Sequence, residues 1–350
     1  MRKRNAVRAA AAALAAMMAL TACGGGGGNE TTAAAGGDTG STAAGGDAAA
    51  SGSGEVGKTD ITVAMGADIV TLDPAGQQDT TTAVVIKHAY STLLDISDEG
   101  ELVPDLAESY ELVNDTDFVF KLREDAVWSD GTPVTANDVK FTFDRAKNMP
   151  KTKSNTSKVK EVVVDNEHQV TIKLTEPYAP FNTIVASSNL SIVQEAAVTA
   201  AGEAYGDADN IVTSGPFTVK EWVPNDHYTL EKNANYWGEE PITTSITVRV
   251  IPEGSARAIA LETGEVDLVW GVDPTDCSNI EANSDVKLLS QPSSSIEYLG
   301  MNMTKEHFKD QKVRQAINYA IDKQALVDTI VEGRGTVANS YINNTIPGWT

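Results

Sequence analysis

Cysteine is nearly absent from this 350-residue sequence, with only Cys23 and Cys277 present. Two thiols close at most one bridge, so no disulfide framework holds the fold. Histidine is also sparse, at four residues. His88, His168, His227 and His307 lie far apart, and none stands in H-E-x-x-H or a similar metal spacing. No G-x-S-x-G elbow occurs, so a serine hydrolase has no motif to rest on. Positive charge is in deficit: 27 Lys and Arg face 49 Asp and Glu, a formal net charge of −22. Such a surface repels phosphate backbones and anionic headgroups, which excludes nucleic acid as a natural partner. It also keeps the chain soluble, which is the simplest reason for the charge. The apolar run Ala9–Leu20 holds 12 residues, too few to span a bilayer comfortably.

What is present suits a folded body. The chain is 41% hydrophobic and 22% charged, enough to build two or more lobes with cores of their own. The first 23 residues differ from the rest. Arg2, Lys3, Arg4 and Arg8 precede the apolar run, as in a secretory signal. The run ends in Leu20-Thr21-Ala22-Cys23-Gly24, which resembles the bacterial lipobox. There a peptidase cuts before the cysteine and its thiol takes a diacylglycerol. The other reading is an ordinary signal with a chance cysteine. Lipidation at Cys23 leaves Cys277 without a partner, as a small apolar filler. Residues 24–60 are dominated by Gly, Ala, Ser, Thr and Asp, a flexible tether. Gly52 to Gly57 matches G-x-G-x-x-G, but it precedes the first expected strand and opens no helix, so it is no dinucleotide site.

Periodicity predicts the elements beyond the tether. Strands are expected at Ile61–Met65, around Phe118, Phe120 and Leu122, at Phe217–Trp222, at Tyr228–Lys232 and around Ile246, Val248 and Val250. Val162–Val164 and Val170–Leu174 flank Asp165-Asn166 as a hairpin with a polar turn. Thr135 and Asp138 have capping-box spacing before the helical face Val139, Thr142, Phe143, Ala146. Ser255 is expected to cap a helix running to Thr263, closed by Gly264. Val313, Ala316, Ile317, Ala320 and Ile321 mark an amphipathic helix. Asp322 then caps another helix that stops near Gly333. Strands and helices mix without a strict repeat, so the class is α/β to α+β.

Seven segments, in order, resemble family 5 solute-binding proteins, the peptide and nickel group. They are Leu72-Asp73-Pro74; Leu102 to Tyr110; Phe118 to Arg123 with Trp128 to Val139; Ser214-Gly215-Pro216-Phe217; Lys232 to Trp237; Leu261 to Leu268; and Val313 to Lys323. The resemblance implies an α/β, periplasmic-binding-protein-like (type II, cluster C) two-lobed fold that encloses ligand between lobes. It implies a first lobe over 61–298 with a subdomain inserted at about 80–200, and a crossing near Tyr298 to Met303. It implies a second lobe begun at 299–350 and cut short, as in a fragment of a longer product. The implied function is the solute-binding component of an ABC importer. Such a monomer, tethered outside the bacterial cell membrane by its lipid alone, hands a peptide or other small solute to permease subunits. No cofactor, metal or catalysis is expected.

The resemblance places an acidic cleft residue at Asp68, either pairing with a ligand cation or standing as a solvated loop carboxylate. Ile69 and Val70 offer backbone groups beside it. Trp270-Gly271, after a strand at Val266–Val269, is either a pocket wall or a core tryptophan under the hinge. Tyr298 and Asn302, on the crossing strand, either touch ligand or pack structurally. Trp128 to Asp138 is the most recognisable tract, yet it is read as structural: Asp130-Gly131 is a turn and Thr135 a cap. A receptor or chaperone of the same fold, or a binder of a nickel chelate or oligosaccharide, is the alternative.

Overall fold

The computed structural model describes residues 57–341 apart from Asp98 and Ser294; Cys23, the signal segment and nearly all of the tether lie outside the described residues. The fold is mixed α/β, as the periodicity predicts. Eleven described strands are β1 (Asp60–Met65), β2 (Leu94–Ile96), β3 (Leu102–Pro104), β4 (Ala107–Leu112), β5 (Asp117–Leu122), β6 (Val159–Asn166), β7 (Gln169–Leu174), β8 (Phe217–Val223), β9 (His227–Lys232), β10 (Ser245–Val250) and β11 (Leu268–Val269). The described α-helices are α1 (Thr80–Ala89), α2 (Ala136–Ala146), α3 (Phe181–Ile184), α4 (Glu195–Ala201), α5 (Gly254–Glu262), α6 (Pro274–Ala282), α7 (Glu306–Lys309), α8 (Gln311–Ala320) and α9 (Lys323–Thr329). One sheet has the order β11-β1-β10-β9-β8, another β4-β5-β7-β6, and β2 pairs with β3. The chain divides into two compact units. One comprises Val70–Glu221, Thr229–Ile246 and the segment ending at Ile61; the other comprises Thr62–Ile69, Trp222–Tyr228 and the chain from Thr247.

The first unit is built on the antiparallel sheet of β4 to β7. Phe118 pairs with Ile172 and Phe120 with Val170, so alternate residues send one apolar face inward. Helix α2 supplies Val139, Phe143 and Ala146 to the same core, which also takes in Trp128, fully buried. The helix starts where predicted. The Asp138 carboxylate accepts from the Thr135 backbone N–H and hydroxyl, both at 3.0 Å. The sequence misplaces one turn: β6 continues through Asn166, which pairs with Gln169, so the reversal falls on Glu167-His168. The Asn166 carboxamide accepts from the His168 N–H, which lets an asparagine tighten the turn from inside the strand.

Two recognisable motifs of this unit have packing reasons. Asp73 receives Arg145 bidentately, at 2.8 and 2.6 Å, and also accepts from the Ala75 N–H. Tyr205 lies 5.5 Å from that guanidinium and meets the Tyr90 hydroxyl at 3.3 Å. Burial raises both phenols, so they stay neutral beside the ion pair. In Ser214-Gly215-Pro216-Phe217 the Gly215 N–H bonds the Ala89 carbonyl at 2.7 Å. A Cβ there would stand 2.5 Å from the His88 carbonyl oxygen, so only glycine fits against the end of α1.

In the second unit β1 and β11 run parallel, with Val63 opposite Leu268 and Ala64 opposite Val269. The expected strand Val266–Val269 is shorter than predicted, because the Val266 N–H turns back to the Ala260 carbonyl at the end of α5. Gly264 closes α5 at φ +74, as expected. Ser255 is not its cap. The helix begins at Gly254 behind Glu253, where a Cβ would fall 1.8 Å from the Asp273 carboxylate. No strand forms at Tyr298–Met303, because no ladder partner faces that stretch among the described residues. Asp310 and Asp322 cap α8 and α9, and neither helix contains a buried residue. Helix α9 ends at Thr329, and Gly333 follows four residues later at φ +75 with its N–H on the Val327 carbonyl. Cys277 is buried, its thiol 3.5 Å from the Asp273 carbonyl, and burial pushes it up in pKa.

Candidate ligand-binding site

Parallel strands end on the same edge of a sheet, and ligands of open α/β sheets collect outside those carboxyl ends. Here two loops form that edge: residues 66–70 after β1, and Trp270-Gly271 after β11. The register sets the juxtaposition, since the Trp270 N–H donates to the Ala64 carbonyl at 2.9 Å. Five of the seven candidate residues therefore come from the two loops at the carboxyl ends of one strand pair.

Asp68 is engaged inside the protein. Its Oδ1 accepts from the Ile69 N–H at 2.8 Å, and its Oδ2 from the Asn225 N–H at 2.7 Å. The Trp222 indole N–H lies 3.2 Å from both oxygens. Three donors in this range aim the carboxylate at the turn between β8 and β9. Asn225 sits in that turn at φ +62, a left-handed conformation asparagine tolerates. Nearby Tyr228 is buried, its hydroxyl 3.6 Å from the Met65 sulfur; burial, then the charge of Asp68, push its phenol up. Asp68 is thus half-buried, with both of its oxygens bonded within the protein.

The neighbours divide by exposure. Ile69 is buried, whereas Val70 is exposed with its N–H donating to the Thr82 hydroxyl at 3.0 Å. Trp270 is 59% exposed, so it is no core tryptophan. Gly271 turns the chain at φ +77, and its carbonyl accepts from Arg257 Nη2 at 2.9 Å. An exposed indole and anchored backbone lie along one edge. Tyr298 is 76% exposed in a stretch without regular structure. Asn302 caps its own turn, accepting from the Thr304 N–H at 3.0 Å and hydroxyl at 2.7 Å. Among the described residues no hydrogen bond ties Tyr298 or Asn302 to the edge.

Trp222, Asn225, Arg257 and Asp273 escaped the sequence reading. Asn225-Asp226 carried a turn signal whose partner, 157 residues away, had none. Arg257 left a fainter trace: a charged residue at a position of α5 that faces inward with Ala258 and Ala260. Among the described residues, no three His, Cys, Asp or Glu side chains are grouped to hold a metal. No described helix is long and apolar enough to cross a membrane.

Residues 101–350 match the bacterial extracellular solute-binding proteins, family 5 (middle region), and the chain belongs to that family. The glutathione-binding protein GsiB of Escherichia coli strain K12 is 32% identical over 288 residues, 81% of this chain and 56% of that protein. The periplasmic binding protein DppA of Helicobacter pylori, solved with the peptide STSA, superposes at TM-score 0.73 with 26% identity, over 83% of this chain and 61% of that one. NikA of Brucella suis, solved with Fe(III)-EDTA, superposes at 0.72 with 27% identity, over 82% and 59%. The chain thus spans a little over half the length of the curated relatives it matches. The family is one of binding proteins rather than enzymes.

Proposed function

We propose that this protein captures a peptide-like solute outside the cell and delivers it to the permease of an ABC importer. The observation that carries the reading is the edge at the carboxyl ends of β1 and β11 in a chain of this family. Trp270 offers apolar contact there, and the backbone at Ile69, Val70 and Gly271 offers polar partners. Asp68 serves this edge by fixing the β8–β9 turn, and Tyr298 and Asn302 supply further ligand contacts. The named ligands of two relatives, glutathione and STSA, are both peptides, and main-chain recognition tolerates varied side chains. Neither catalysis nor a cofactor enters this reading.

The test is native purification of the whole protein and mass spectrometry of the small molecules it releases, followed by thermal shift with reduced glutathione and with STSA. A peptide at 100 times its Kd stabilises by about 2.7 kcal/mol. Release of a metal chelate or an oligosaccharide, with no shift from either peptide, would overturn the peptide reading.

The protein is held at the outer face of the membrane by lipid on Cys23, as a monomer. Two acyl chains suffice for stable anchoring, at about 0.8 kcal/mol per buried CH₂. Cys23→Ser is expected to move it from the membrane pellet to the soluble fraction; a variant that stays in the pellet would remove the anchor.

A further inference from the structure

We infer that Arg257 is the positioning residue of the binding edge, holding the Trp270 platform at a fixed height; this rests on the reading of that edge as the ligand site. Arg257 lies on α5 yet is buried, with only 7% of its side chain exposed. Its Nη1 donates to the carbonyls of Ile251 and Pro252, both at 2.9 Å. Its Nη2 donates to the Gly271 carbonyl at 2.9 Å and reaches the Asp273 carboxylate at 3.3 Å. The guanidinium thereby ties the end of β10 to the loop after β11.

It also touches the exit of β1. A Cβ on Gly66 would fall 2.8 Å from Nη1, so glycine lets that strand pass over the guanidinium. The consequence falls on Trp270. Its N–H is fixed by Ala64, and the carbonyl of the next residue is fixed by Arg257. A backbone held at the Trp270 N–H and again at the Gly271 carbonyl sets where the exposed indole starts from, so less of the loop has to be ordered when a ligand stacks on it. Lysine cannot replace the arrangement. One ammonium presents three donors from a single point, while the planar fork reaches carbonyls on two loops at once.

The experiment uses the whole chain labelled with 5-fluorotryptophan, with the Trp270 resonance assigned by Trp270→Phe. In Arg257→Lys the Trp270 fluorine signal is expected to shift and broaden, while those of Trp128 and Trp237 stay in place. Affinity for glutathione or STSA, by calorimetry on the same samples, is expected to fall at least tenfold. Gly66→Ala keeps the arginine and displaces only its tip, so it provides the second arm should Arg257→Lys not fold. It is expected to perturb Trp270 in the same way. An unchanged Trp270 signal in the folded variants would overturn the positioning role. If the unmodified protein binds neither peptide, the peptide reading fails instead, and the fluorine signals still decide whether Arg257 sets the platform.

Discussion

Helices α2 and α8 carry the same pattern and meet opposite fates. Both place apolar residues at helical spacing, and α8 separates its apolar from its polar side more sharply. Yet α2 buries Val139, Phe143 and Ala146 against a four-stranded sheet, whereas α8 has no buried residue. Periodicity therefore fixes that a helix forms and which face is apolar; it does not fix what that face costs to change. Burial depends on a covering surface, and α2 has the β5–β7 strands, contributed by residues on both sides of it in sequence.

The strongest challenge to this contrast is a pair of truncations. Phe143→Ala is expected to destabilise by about 3–5 kcal/mol, and Ile317→Ala by less than about 1 kcal/mol, in chemical denaturation. Equal costs would show that α8 is covered in solution. The contrast extends to polar burial. Asp73→Ala strands the half-buried Arg145 guanidinium and is expected to cost about 3 kcal/mol, while Lys309→Ala, whose ion pair with Glu306 is exposed, is expected to change the denaturation midpoint negligibly. Gly215→Ala is expected to cost about 1–3 kcal/mol, because the new methyl meets backbone that cannot yield.

Smaller effects refine the picture at the candidate edge and at α1, the helix that Gly215 packs against. Asp68→Ala removes the acceptor of Trp222 and Asn225 and is expected to cost about 1–2 kcal/mol. The Trp222 indole N–H should then exchange faster with solvent; unaltered exchange would sink the anchoring role. The smallest effect is at His88 on α1. Burial lowers its pKa, the charge of Lys87 adds to that, and the Val84 carbonyl opposes it. The folded state then binds the proton less readily than the unfolded chain. The His88 contribution is complete above the unfolded value of about 6.5 and is lost progressively as pH falls below it. A His88→Gln variant should show a flatter stability profile between pH 7 and pH 5.

Much of the fold was legible because its signals are local. The Thr135–Asp138 box, the alternation in β5 and β7 and the cap at Asp322 each need only neighbours within a turn or a strand. Legibility fell where a distant group decides the outcome. Ser255 looks like a cap, but α5 begins at Gly254 behind Glu253, and a Cβ at Gly254 would collide with the Asp273 carboxylate, nineteen residues later. The strand expected at Tyr298–Met303 has no partner among the described residues. At the candidate site the sequence singled out Asp68 and Trp270, but not that Asp68 holds a turn 157 residues away.

Spacing and capping were enough to give the helix and strand types, and the resemblance of seven motifs pointed to the family and to an acidic residue after the first strand. Three further features arose from tertiary packing alone: which apolar faces are covered, the satisfaction of Asp68 from within, and the joining of two loops by Arg257 beneath Trp270. Each of these is a meeting of groups far apart in sequence, and nothing in the local pattern encodes the distance between them.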